Sequence, residues 1–132
     1  MKIKFPKKFP KEKSLRKLEK ELDKAVSDYL KAKSKGICVR CGKHRKNMGV
    51  SHYWSRKHRS TRWEIDNLDW MCWLPCHYTA EHEKQGWYRD YMIGKLGERG
   101  YQTLMVKANT VTKFSRQDIQ LLINFYENKA RF

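Results

Sequence analysis

The chain has 132 residues, 39% hydrophobic and 33% charged, which supports one small core and argues against several domains. Thirty Lys and Arg against fourteen Asp and Glu give a net charge of +16, a one-sign field that attracts polyanions. An aromatic content of 13% argues against wholesale disorder, and no apolar run has membrane-spanning or signal-peptide character.

Residues 1–13 read as a basic arm, with Pro6 and Pro10 opposing early helix. From 14 to 36 the chain predicts an amphipathic helix. Ser14 can cap it, and Leu15, Leu18, Leu22, Ala25, Val26, Tyr29 and Leu30 recur at three- and four-residue steps. Gly36 ends it. The stripe serves as core or as a homodimer seam, and both stay open at this stage. Residues 37–86 hold the chemistry-bearing part. Cys38-Val39-Arg40-Cys41-Gly42 reads as a tight knuckle, with short strands expected at 49–54 and 63–69 and a basic loop, 55–62, between them. Helical character resumes near Cys76 and runs to Lys84. Residues 87–132 are expected to be helical and to pack on this core. A helix from Trp87 to Leu96 stops at Gly97-Glu98-Arg99-Gly100, and Tyr101 to Ala108 forms another. Ser115-Arg116-Gln117-Asp118 is a capping box before a last amphipathic helix carrying Ile119, Leu122, Ile123 and Tyr126.

All four cysteines fall in two pairs, Cys38/Cys41 and Cys72/Cys76. Cytoplasmic synthesis keeps thiols reduced, so metal ligation is the first expectation for them. The first pair has the spacing that lets both sulfurs grip one Zn²⁺ at about 2.3 Å. The second is one residue longer and suits the opening of a helix, where positions i and i+4 share a face. Four thiolates close the ion, making it structural.

Between and after the pairs stand His52, Asn67 and His77. A neutral His52 can take a proton from water attacking a phosphodiester. Asn67 can bond backbone across the hairpin and fix the loop beside His52. His77 is a ligand candidate for a catalytic Mg²⁺ or Mn²⁺, with Glu81 and His82 one turn further on. No acidic residue occurs from Tyr29 to Trp63, and Lys43, Arg45, Lys46, Arg56, Lys57, Arg59 and Arg62 in that stretch are the expected DNA contacts. Tyr53, Trp54 and Trp63 can stack an unpaired base or fill the core.

At these residues the chain resembles the phage NinG/Rap family of recombination nucleases, a branch of the HNH superfamily. The likeness rests on Ser51-His52-Tyr53, Arg62-Trp63, Asn67-Leu68, the second cysteine pair followed by His77, Tyr88-Arg89, and Ile93-Gly94. It runs from residue 14 to the C-terminus. It departs in the longer second cysteine pair and in Ser51, where many HNH enzymes carry an acidic or histidine ligand. The resemblance implies an α+β fold with a ββα-metal (His-Me finger) core beside the four-cysteine zinc site. It also implies divalent-metal-dependent cleavage of DNA, branched junctions or nicked DNA included, in the cytoplasm of a bacterial host by a phage- or prophage-encoded protein. His52 would be the general base, Asn67 the hairpin organiser and His77 a metal ligand. A non-catalytic, zinc-stapled recombination accessory protein is the rival reading. A coiled-coil adaptor built on the first helix is the third.

Overall fold

The structure, a computed structural model, describes residues 12–82 and 86–131; the expected arm at 1–13 lies almost wholly outside the described residues. In chain order the elements are α1 (Leu15–Ser34), β1 (Met48–His52), α2 (Arg59–Arg62), β2 (Leu68–Cys72), α3 (Tyr78–His82), α4 (Trp87–Ala108) and α5 (Arg116–Arg131). A 3₁₀ turn, Ile65–Asn67, precedes β2, and an irregular turn, Trp73–His77, follows it.

Helix α1 starts where the Ser14 hydroxyl accepts the Lys17 amide at 3.2 Å. It stops where Lys35 and Gly36 turn left-handed, and the Gly36 amide reaches back to the Lys31 carbonyl at 3.0 Å. Helix α5 starts on the reciprocal capping box read from the sequence. The Asp118 amide donates to Ser115 Oγ at 3.1 Å, and the Ser115 amide donates to Asp118 Oδ2 at 2.8 Å. Ile119, Ile123 and Tyr126 on one face of α5 then close over Leu18, Leu22, Ala25, Val26, Tyr29 and Leu30 of α1. The apolar stripe of α1 is therefore core, filled from within the same chain. Leu15 alone of that stripe is exposed.

The two strands pair antiparallel, with Met48 opposite Cys72, Ser51 opposite Asp69 and His52 opposite Leu68. Strand β2 is buried along its whole length. Because side chains alternate across a strand, it serves as a partition. Leu68 and Trp70 on one face join the α1–α5 core, Met71 on the other joins a second cluster with Cys38, Cys76, Tyr88, Met92 and Leu104, and Cys72 turns to that second cluster where the strand ends.

Three sequence expectations need correction. The second strand begins at Leu68, not Trp63, because Trp63 closes the single turn α2 inside what read as a loop. Its indole is buried among α1 and α5, its Nε1 donates to Asp23 Oδ1 at 2.8 Å, and its carbonyl accepts the Tyr126 hydroxyl. Helix does not begin at Cys76: the chain first makes the turn with a cis Leu74-Pro75 bond, and α3 starts at Tyr78. The stop after Leu96 is confined to Gly97, whose φ of 75° bends α4, and the helix resumes at once. Among the described residues no helix is long and apolar enough to cross a membrane.

Candidate metal centre and histidine cleft

The four cysteine sulfurs lie within 4.8 Å of one another, and Cys41 and Cys72 Sγ are 4.0 Å apart. A tetrahedron with Zn–S bonds of about 2.3 Å has sulfurs about 3.8 Å apart, so the residues fit a single zinc. The knuckle is closed by the Gly42 amide on the Cys38 carbonyl at 2.9 Å and by the Cys38 amide on the Lys43 carbonyl at 3.0 Å. Amides aimed at sulfurs come from the knuckle, where the Lys43 amide bonds Cys41, and from β2, where Cys72 N–H points at Cys38 Sγ at 3.4 Å. The extra residue of the second pair is absorbed differently from the helical expectation. Cys72 is extended at the end of β2, Leu74 is non-helical, and the turn carries Cys76 back to the first three sulfurs.

Arg45 stands against these sulfurs. Its hydrogen bond holds Cys41 down at about 6, while burial pushes Cys72 and Cys76 up. Four thiolates on a Zn²⁺ would carry a net charge of −2, which this guanidinium would offset. Arg45 was read from the sequence as a DNA contact. The structure gives it a place at the metal centre, a role that a position in a basic run could not signal.

His52 ends β1. Its Nε2 lies 3.1 Å from the Arg62 carbonyl oxygen, which can only accept. Nε2 therefore carries the proton, and Nδ1 is left with its lone pair. Burial, and after it the charge of Arg56, lowers the ring to about 4, so it is neutral at physiological pH. Asn67 is fully buried and fastens the segment after His52. Its Oδ1 accepts the Trp54 amide at 2.8 Å, and its Nδ2 donates to the carbonyls of Trp54 and Thr61 at 3.0 Å each. Its own carbonyl accepts the Tyr53 amide at 3.0 Å.

His77 shares two clefts with His52. Its Nδ1 is 3.1 Å from Ser51 Oγ, which is in turn 2.8 Å from the Tyr88 hydroxyl. The Trp73 ring meets His77 edge-on with centroids 4.5 Å apart. That indole rests on Gly49, where a Cβ would come within 3.0 Å of it. Ser51 thus ties the His77 imidazole to Tyr88 of α4. The side chains of Glu81 and His82, the other expected ligands, lie outside the described residues. Among the described residues the four cysteines form the only group of three or more metal-ligating side chains.

The other six expected DNA-contacting residues divide into two sets. Arg59 pairs with Glu19, and Arg62 with Asp23 Oδ2 at 2.6 Å; Arg56 reaches the same oxygen at 3.3 Å. Arg62 also lies over the Trp63 ring, 4.9 Å from its centroid. These arginines tie the loop to α1, while Lys43, Lys46 and Lys57 are exposed. Asp23 is the residue sequence reasoning missed. It looked like one more polar position on a helix, yet it gathers Arg56, Arg62 and Trp63, and so holds the carbonyl that orients His52. Ser51 and Tyr88 were noticed only as parts of a motif. Their hydrogen bonds arise from a strand–helix contact 37 residues apart in sequence, which no local pattern signals.

A family model described as Bacteriophage Lambda NinG protein matches residues 2–132. No curated protein and no solved structure matches the chain.

Proposed function

The chain belongs to the NinG family, and from that premise we propose that it is a divalent-metal-dependent HNH endonuclease that hydrolyses DNA phosphodiester bonds in phage recombination. The observation that carries this reading is the state of His52. Its Nε2 proton is committed to the Arg62 carbonyl, and its Nδ1 lone pair is neutral and free to act as a base.

In this reading Nδ1 takes the proton from a water attacking the phosphorus. Asn67 holds the loop that carries both Trp54 and the Arg62 carbonyl, so the base keeps its orientation through the reaction. His77, with Nδ1 turned to Ser51 Oγ beside His52, is the imidazole this reading assigns to the cation. The described residues offer that imidazole, and water and phosphate oxygens complete the shell of a hard cation. When bound there, Mg²⁺ or Mn²⁺ would neutralise the phosphate and the leaving oxygen. Lys43, Lys46 and Lys57 supply sequence-independent attraction to the backbone. A zinc on Cys38, Cys41, Cys72 and Cys76 would hold β2 and the turn to His77 in place, with no open position for chemistry.

Nicking of supercoiled plasmid in EDTA, Mg²⁺ or Mn²⁺ tests the proposal, with His52→Ala alongside. Relaxation is expected only with metal and only with His52, while the variant keeps its fold and its DNA affinity. Binding without cutting in either metal would leave the accessory-factor reading standing.

A further inference from the structure

Two clefts meet at the histidines, and the one on the α4 side adds a carboxylate and an amide to its rings. They share His52, Ser55 and His77. The one on the α1 side, about 440 Å³, is lined by Lys57, by Arg56 and Arg62 with their shared partner Asp23, and by Trp63 and Trp73. The one on the α4 side, about 500 Å³, is lined by aromatic rings together with Arg89, Glu98, Gln102 and Met105. Its volume falls within the range of roughly 300–1,000 Å³ usual for small-molecule sites.

The bend at Gly97 creates this second cleft. Beyond it, Glu98, Tyr101, Gln102 and Met105 follow at i, i+3, i+4 and i+7, and so share one helical face. That face meets Tyr53 and Trp54, which leave β1 directly after His52. Tyr53 and Tyr101 are joined through their hydroxyls at 2.8 Å, and the Tyr53 ring packs edge-on to Trp54, Tyr88 and Tyr101. The wall is therefore held rigid before any ligand arrives.

We propose that the α4-side cleft takes the base of a single unpaired DNA nucleotide that neighbours the phosphate held at His52 and His77. This rests on the nuclease reading for the position of the phosphate. A strand whose phosphate lies at the histidines, beside exposed Lys57, brings its neighbouring base to a cleft whose rings suit it. Glu98 and Gln102, 3.5 Å apart, present a carboxylate and an amide. A carboxylate repels phosphate but accepts from the amino and imino groups of a base edge. Arg89, exposed on the first half of α4, can balance the adjoining phosphate. A base paired and stacked in duplex cannot reach the cleft without leaving its neighbours, so the cleft selects DNA with a nucleotide already unpaired.

Abasic scanning tests this with His52→Ala protein, so that binding is read without cutting. The probe is a duplex with a single-stranded arm, carrying one abasic nucleotide at each arm and junction position in turn. One position is expected to lose about tenfold in affinity, the rest little. Met105→Trp, which fills the cleft from an exposed position, should weaken the intact probe by a similar factor and abolish the difference between positions. Wild-type protein maps the scissile phosphate on the same probe, and the sensitive position should adjoin it. Equal affinity at all positions would overturn the cleft assignment even if the protein cuts. A single sensitive position, removed by Met105→Trp, in a protein that never cuts would keep the cleft and remove the nuclease.

Discussion

On the α1–α5 side of the hairpin, Leu22, Val26, Ile119 and Ile123 are sealed against one another and against Trp70. On the α4 side the buried set contains three of the four cysteines and Tyr88, Met92 and Tyr101, interleaved with hydroxyl and thiol contacts. The first side is stabilised by many small apolar contacts that fail by degrees. The second rests on a few specific bonds and on the four clustered cysteines. The two histidines are fastened from opposite sides. Consecutive residues of β1 point to opposite faces, so His52 is oriented by Arg62 of α2, itself held by Asp23 of α1, and His77 by Ser51, itself bonded to Tyr88 of α4. The site sits where the two systems meet, and each can be loosened separately.

The largest effect is expected at the metal. Cys72→Ser, or removal of zinc by a chelator, should unfold the α4 side outright, since structural zinc contributes on the order of 10 kcal/mol to small domains that need it. Metal content with circular dichroism and tryptophan emission reads this. A metal-free protein with native spectra would show that the cysteines are not the staple. On the other side, Leu22→Ala removes a side chain with no exposure and should lower unfolding free energy by about 2–5 kcal/mol. It should leave cleavage by the folded fraction intact. Urea denaturation and activity at low temperature separate the two effects.

Asp23→Asn sharpens the comparison most, because it detunes His52 without touching it. Turnover should fall on the order of tenfold to a hundredfold as the base loses its alignment. DNA binding should tighten, and its salt dependence steepen by about one phosphate contact, as Arg56 and Arg62 are released. A merely structural role for Asp23 would weaken binding and turnover together. The smallest effect concerns pH. The ring of His52 is lowered in the folded chain from 6.5 to about 4. The folded state therefore resists protonation, and the stability contributed by neutral His52 is complete above pH 6.5 and lost as pH falls from there towards 4. The base stays available over the same window, so the acid limb of cleavage should lie near pH 4–5 rather than 6.5. Arg56→Gln removes one charge that lowers the ring and should move that limb upward. An acid limb already at 6.5 in the native protein would place the essential base elsewhere.

Much of the α1–α5 side was legible in the sequence. Ser14, Gly36 and the Ser115–Asp118 box mark helix ends by local chemistry, and the stripe on α1 follows from helical period alone. The cysteine pairs were legible too, because count and spacing constrain thiols strongly. Asn67 was read as a fastener of the hairpin, and it is one. Boundaries around β2 were not legible. Trp63 has strand-forming character, but its burial and its bond to Asp23 set it in a turn.

By itself, then, the sequence determined the helices with their caps, the four-cysteine clip and the residues gathered near it. Each of these follows from spacing within a few tens of residues, or from a residue type with few alternative uses. Only the tertiary structure decided which basic side chains stay free, which imidazole nitrogen keeps its lone pair, and that Gly97 bends α4 into a cleft wall. These depend on pairings across the fold, Asp23 with Arg62 and Ser51 with Tyr88. The energy of a charge or a hydroxyl is set by the partner that burial brings to it, and that partner is distant in sequence.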